Sequence, residues 1–171
     1  MILKDIFADA KANNQPVVLR NIFPIVPAFE SFLNHLEIYQ KVSNGVRNFG
    51  PTYYVIELFD QDLTKITKTY LGYDTVYKEL DEANALGIMN RPVMLLSTSL
   101  DSPELPKHKD PCDQMHWTCV GKEFWKVWLY DDKVLEFILE PGDLIFIPVG
   151  LYHQVKSVTI RAGITWSANI I

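Results

Sequence analysis

His108, Asp110 and His153 are the residues of this chain whose types and spacing can do chemistry. The first two lie in Pro106-Lys-His-Lys-Asp110 and the third ends Pro148-Val-Gly-Leu-Tyr-His153. Two imidazoles and one carboxylate suit divalent iron. Together they fill one face of an octahedron and leave the opposite positions open for a substrate acid and dioxygen, which a closed structural zinc site does not do. His108 and Asp110 are two positions apart, so in extended chain they project to one side and can grip one ion. His153 must then arrive from a distant strand. The bland alternative is a core histidine between two strands of a noncatalytic barrel.

The elements that must bring these residues together are short strands. Glu140-Pro-Gly-Asp143 carries Pro and Gly at the central positions of a type II turn and opens the apolar run Leu144-Ile-Phe-Ile-Pro148. That run predicts a strand delivering His153, with Pro148 stopping the ladder and Gly150 letting the backbone bend. Val158-Thr-Ile-Arg161 and Gly163 to Asn169 predict a further strand or pair of strands. Upstream, strands are expected at Gln15 to Arg20, Tyr53 to Leu58, Pro92 to Thr98, Gln114 to Val120, Glu123 to Tyr130 and Val134 to Leu139, with turns at Gly121-Lys122 and Asp131-Asp132. Phe29, Phe32, Leu33, Leu36, Tyr39 and Val42 recur at helical spacing, placing His35 at a surface or boundary position. A second helix is expected over Asp74 to Leu86, with Asp74 as its N-cap. The pattern is mainly β within an α+β chain: a jelly-roll core with N-terminal helices covering one sheet. It reads as a single domain over 1–171, with a helical layer in about 1–90 and the β core in about 91–171.

Composition sets outer limits. The chain has 171 residues, nearly half of them apolar, which is enough for one full core. A formal charge of −5 and a pI near 5.3 argue against a broad phosphate-binding surface, so nucleic acid is an unsupported partner. Cys112 and Cys119 are spaced neither as a zinc knuckle nor as a redox pair, and a reducing compartment is the simpler inference. Charges interrupt the apolar residues of Met1 to Asp9, and no run approaches the roughly 18 apolar residues of a membrane span. A cytoplasmic location without membrane contact is expected.

The chain resembles the Jumonji C and cupin-like iron/2-oxoglutarate oxygenases, particularly small asparaginyl and ribosomal-protein hydroxylases. The residues carrying the likeness are Pro106, His108 and Asp110, then Gly121 after the strand Gln114 to Val120, then Pro141-Gly-Asp143, Pro148 and His153. The resemblance implies a double-stranded β-helix, Fe(II) held by His108, Asp110 and His153, and 2-oxoglutarate as cosubstrate with dioxygen. It implies hydroxylation of an unidentified substrate, a protein side chain among the candidates. Those enzymes also need a cation for the far carboxylate of 2-oxoglutarate, because a buried unpaired carboxylate costs several kcal/mol.

At the position where many relatives carry that cation, this chain has Glu123. Arg161 resembles the basic position on the last strand of the prolyl-hydroxylase branch and can grip a carboxylate in a bidentate fork; Lys122 and Lys126 are the reserves, and the alternative is an edge arginine in solvent or one paired with Glu123. Arg161, Gly163, Thr165, Ser167 and Asn169 alternate onto one face, Asn169 resembling an inward Asn of the Jumonji-type hydroxylases. His116 shares a strand face with Gln114 and Thr118; if that face lines the barrel it lies near the metal or cosubstrate, the alternative being a packed core or surface histidine. Trp117, Trp125, Trp128 and Trp166 are expected to pack the core or a sheet face. Two other readings remain open: a cupin-like binding module whose metal site is vestigial or zinc-filled, and a cupin enzyme that does not use 2-oxoglutarate.

Overall fold

Alternation across strands builds this architecture. A computed structural model describes residues 3–23, 26–42, 46–48, 52–57 and 93–169. Within them are two helices, α1 (Leu3–Ala12) and α2 (Phe29–Val42). The strands are β1 (Val17–Leu19), β2 (Val46–Asn48), β3 (Tyr53–Glu57), β4 (Val93–Ser97), β5 (Asp113–Val120), β6 (Glu123–Trp128), β7 (Val134–Leu139), β8 (Leu144–Ile147), β9 (Tyr152–Ser157) and β10 (Arg161–Ala168). A seven-stranded sheet runs β1-β8-β5-β10-β4-β3-β2, and a three-stranded sheet runs β7-β6-β9. Neighbours pair antiparallel throughout. The fold is a double-stranded β-helix with its helices packed on the larger sheet. Strands β1 to β3 extend that sheet, so the N-terminal part contributes more than a helical cover.

The larger sheet is apolar on one face and polar on much of the other. Met115, Trp117 and Cys119 of β5, Leu144 and Phe146 of β8, and Ile164 and Trp166 of β10 join Phe7 of α1 and Phe32 and Leu36 of α2 in one buried cluster. Phe7 stacks on Phe146 with ring centroids 4.6 Å apart. Each such side chain, fully buried, contributes on the order of 1.5–3 kcal/mol. The intervening residues of the same strands, Gln114, His116, Ile145, Ile147, Thr165 and Ser167, face the smaller sheet and line a cavity.

Several expectations are corrected. Helix α1 was not foreseen, and β2 was not either. Leu33 is 38% exposed while His35 is buried, so the inward face of α2 turns through His35 rather than Leu33. Burial drives the His35 pKa down, partly offset by its Nδ1 contact of 3.1 Å to the Ser31 carbonyl. Val158 to Ile160 form a turn whose amides, at Val158 and Thr159, donate to the Lys122 carbonyl; one strand, β10, follows. His153 sits within its own strand, β9, not at the end of β8. The helix expected over 74–86 lies outside the described residues.

The Pro-Gly-Asp turn has a structural task. The Asp143 amide donates to the Glu140 carbonyl at 3.0 Å, and Gly142 adopts φ +96°, as the third position of a type II turn requires. The Asp143 carboxylate then accepts from the Glu140 amide at 3.0 Å, the Asn21 amide at 2.8 Å and Arg20 Nη1 at 2.6 Å. This ties the β7–β8 turn to the segment after β1 and fixes β8, which lies between β1 and β5.

Candidate active site

His108 and His153 meet across an isolated antiparallel bridge, with the His108 amide donating to the His153 carbonyl at 3.0 Å and the His153 amide returning at 2.8 Å. The bridge brings the two imidazoles to 4.3 Å between centroids. Asp110, two residues on, points to the same place: one ligand atom from each of His108, Asp110 and His153 lies within 4.8 Å of the others. The structure thus brings the three sequence-derived ligands together.

The hydrogen bonds at the far side of each ring fit a metal. His108 Nδ1 stands 2.8 Å from the Pro106 carbonyl and His153 Nδ1 stands 3.2 Å from the Leu151 carbonyl. A carbonyl only accepts, so each Nδ1 carries the proton and each Nε2 keeps its lone pair. His153 Nε2 faces Asp110 Oδ2 at 3.4 Å. Two lone-pair atoms so placed repel unless a cation lies between them. With protons in place of a metal on the two rings, burial of Asp110 acts to raise its pKa, but the bond and charge of His153 and the charge of His108 outweigh it and hold the carboxyl below its ordinary value. The donor set suits an ion of iron's kind, with neighbouring positions left open toward the cavity.

That cavity holds about 430 Å³, within the range of small-molecule sites. Aliphatic side chains, among them Val55, Leu95, Leu105, Ile145, Ile147 and Val155, share its wall with the triad and with the polar groups Gln114, His116, Thr165 and Ser167. No lysine or arginine lines it among the described residues. Trp125 was assigned only to packing; it also lines the cavity, standing 5.0 Å from the His116 ring and 6.1 Å from the His153 ring. The inward parity of Glu123, Trp125 and Val127 on β6 was the available signal.

Behind His116 and Trp125 lies a sealed polar cluster. Glu123 is fully buried and Arg161 is 1% exposed, with Arg161 Nη1 3.0 Å from Glu123 Oε1. His116 Nε2 is 2.8 Å from Glu123 Oε2, Trp125 Nε1 donates to that oxygen at 2.8 Å, and Thr118 Oγ1 donates to it at 3.3 Å. The Arg161 and His116 contacts act through charge and proximity, since neither has hydrogen-bond alignment. Arg161 Nε donates to Ser157 Oγ at 2.9 Å, and the guanidinium lies 5.3 Å over the Tyr53 ring. Burial alone would raise the Glu123 pKa; the charges of His116 and Arg161, with the close approach of His116 and the bond from Trp125, hold it well below the carboxylate range. His116 Nδ1 is 2.8 Å from Thr165 Oγ1, and its ring packs against Gly163, where a Cβ would collide with it.

The remaining expected contacts fall elsewhere. Gln114 lines the cavity, its amide donating to Ser167 Oγ at 3.2 Å. Lys122 reaches out to Glu140 at 2.6 Å and Lys126, on the outer face of β6, to Glu136 at 3.0 Å, so neither enters the cavity. Asn169 follows the last residue of β10 and is exposed, its Oδ1 accepting from Lys11 Nζ at 3.4 Å. Its inward placement is thereby corrected: alternation no longer governs a residue past the strand end.

No protein-family model matches the sequence, and no curated protein does. Solved structures do match in fold. The ribosomal oxygenase YcfD from Escherichia coli, in complex with cobalt and 2-oxoglutarate, superposes with a TM-score of 0.59 at 17% identity, covering 91% of this chain and 48% of that one. Another structure of the same protein gives 0.63 at 14% identity over 96% of this chain and 52% of that one. The chain thus spans about half the length of the ribosomal oxygenase. A prolyl hydroxylase from Trichoplax adhaerens, in complex with a hypoxia inducible factor peptide fragment, gives 0.65 at 12% identity over 98% and 89% of the two chains. The likeness is one of fold: the double-stranded β-helix of Jumonji C and cupin-like oxygenases.

Proposed function

We propose that this protein is a mononuclear Fe(II) oxygenase that consumes a 2-oxo acid and hydroxylates an organic substrate. The observation carrying this reading is the triad itself: one ligand atom from each of His108, Asp110 and His153 lies within 4.8 Å of the others, and all three residues line the cavity. When bound, iron supplies a Lewis-acid and redox centre for dioxygen. The chain's own residues hold it: Pro106 and Leu151 carbonyls fix the two imidazole tautomers, and the aliphatic wall keeps bulk water from the reacting groups. Gln114, Thr165 and Ser167 are the polar groups available to orient a bound acid. The YcfD and prolyl hydroxylase folds support a protein side chain as the substrate class. No described helix is long and apolar enough to cross a membrane, and the free thiols Cys112 and Cys119 are in keeping with a cytoplasmic setting.

The 2-oxoglutarate of the resemblance fits less well than the iron does. Its second carboxylate needs a cation, and in the described wall Arg161 is both screened from the cavity and already neutralised by Glu123. The test of the overall reading is anaerobic titration of the purified protein with ferrous iron, followed by oxygen uptake and carbon dioxide release with a 2-oxo acid. One equivalent of iron and oxo-acid-dependent oxygen consumption are expected. Absence of stoichiometric divalent-metal binding overturns it in favour of a noncatalytic module.

A further inference from the structure

We infer that the oxo acid this site takes is a 2-oxo monocarboxylate with an apolar tail rather than a dicarboxylate, because Glu123 is a built-in carboxylate that already occupies the buried cation. The inference rests on the oxo-acid oxygenase reading above and narrows it.

Charge balance comes first. A divalent ion with one ionised Asp110 leaves a local charge of plus one, which a single carboxylate neutralises. Glu123 and Arg161 cancel each other behind the wall, 3.0 Å apart. A monocarboxylate therefore matches that charge, whereas a dicarboxylate places a second negative charge in a low-dielectric space whose described wall carries no lysine or arginine and whose His116 already faces Glu123. Access comes second. Neither Glu123 nor Arg161 lines the cavity, while His116 and Trp125 do, and both are held in place by Glu123 itself. His116 stands in front of the pair, 2.8 Å from Glu123 on one side and 2.8 Å from Thr165 on the other, and packs against Gly163. The wall chemistry comes third. What a bound acid's tail meets instead is aliphatic, with Ile145, Ile147 and Val155 among the lining residues.

The reaction balances with such an acid. Its carboxylate leaves as carbon dioxide, its keto carbon gains one oxygen atom of dioxygen, and it is oxidised by two electrons to the acid one carbon shorter. The substrate C–H bond breaks and a C–O bond forms with the second oxygen atom, supplying the other two of the four electrons that dioxygen accepts.

The experiment is anaerobic titration of the iron-loaded full chain with pyruvate, 4-methyl-2-oxopentanoate and 2-oxoglutarate, read by the visible metal-to-ligand charge-transfer band, with calorimetry on the cobalt-loaded protein as an independent readout. The branched monoacid is expected to bind at least about tenfold more tightly than 2-oxoglutarate, since an unpaired buried carboxylate weakens binding by at least that factor. In Glu123→Ala the ratio is expected to shift toward 2-oxoglutarate by about tenfold, as Arg161 is released; should that variant fail to fold, the wild-type ratio alone decides. Binding of 2-oxoglutarate as tight as, or tighter than, the monoacids in wild type overturns the inference and leaves the oxygenase reading intact. An unchanged ratio in folded Glu123→Ala also overturns it. Iron binding with no response to any oxo acid removes the parent reading together with it.

Discussion

Replacing Glu123 by Gln tests whether the sealed cluster is an ion pair that the fold depends on. Arg161 is 1% exposed and Glu123 is 0% exposed, so water cannot take over for a lost partner. The glutamine amide keeps one acceptor for Trp125 Nε1, on the side His116 also approaches, but its NH2 group must then face Arg161, setting donor against donor at a contact of 3.0 Å. Breaking one side of a buried pair costs about 3–5 kcal/mol, a large share of the ~5–15 kcal/mol that holds a typical domain. For a chain of this size that corresponds to a fall in Tm of about 6–20 °C. Exchanging both members for apolar residues, Glu123→Leu with Arg161→Met, removes the need for a counter-charge and is expected to recover most of the loss. The assay is urea unfolding at pH 7 followed by two probes, comparing midpoints at constant slope. A Glu123→Gln protein within about 0.5 kcal/mol of wild type refutes the ion-pair argument, as does a double variant whose loss equals the sum of the two singles.

His108→Ala, Asp110→Ala and His153→Ala are each expected to abolish stoichiometric iron binding while the far-ultraviolet circular dichroism stays native, because the barrel's cores do not include the metal; an unfolded variant series contradicts this. Because the Glu123 pKa is depressed in the fold, its contribution to stability is full above its ordinary value of 4.5 and is lost as pH falls below it toward the folded value; stability measured from pH 6 to 3 should fall, and less steeply in Glu123→Gln than in wild type. Gly163→Ala should drive the His116 ring from its seat and destabilise by about 1–3 kcal/mol in the same urea assay, and a neutral result shows the ring free to move.

The sequence was legible where one strand's own alternation carries the information. Gln114 and His116 on β5 and Thr165 and Ser167 on β10 were placed on one face by parity, and that face does line the cavity. The three metal-ligand candidates were found from residue type and spacing. What resisted reading depends on pairing between distant segments. Glu123 appeared first as an obstacle to an anion, and its pairing with Arg161 stood only as an alternative, because Arg161 lies on a strand that the sequence does not place beside it. Helix α1 was missed because Asp5 and Asp9 interrupt its apolar residues; the stacking of Phe7 on Phe146, which anchors it, is a tertiary fact. The strand carrying His153 alternates plainly, exposed then buried from Tyr152 on, but follows a proline and a glycine that suggested a bend rather than a new strand. Asn169 was assigned inward by extending the parity of β10 one residue past its end.

A buried ion pair is weak evidence of stabilisation by itself, because a well-packed apolar pair in its place is often equally stable. Its value here lies in what the carboxylate holds. Glu123 Oε2 collects Trp125 Nε1, His116 Nε2 and Thr118 Oγ1, and two of those three residues form the inner wall of the cavity. An apolar pair can fill the same volume, yet it offers nothing to orient the imidazole whose other nitrogen meets Thr165 at 2.8 Å. Arg161 then serves as the counter-charge that lets a carboxylate remain ionised at this depth, and the line from Arg161 through Glu123 and His116 to Thr165 sets a polar group at the cavity wall in one orientation. On this argument the double apolar variant separates two roles that single substitutions confound: it should keep the stability of the fold while loosening His116 and Trp125, and its oxo-acid selectivity should therefore change even where its unfolding midpoint does not.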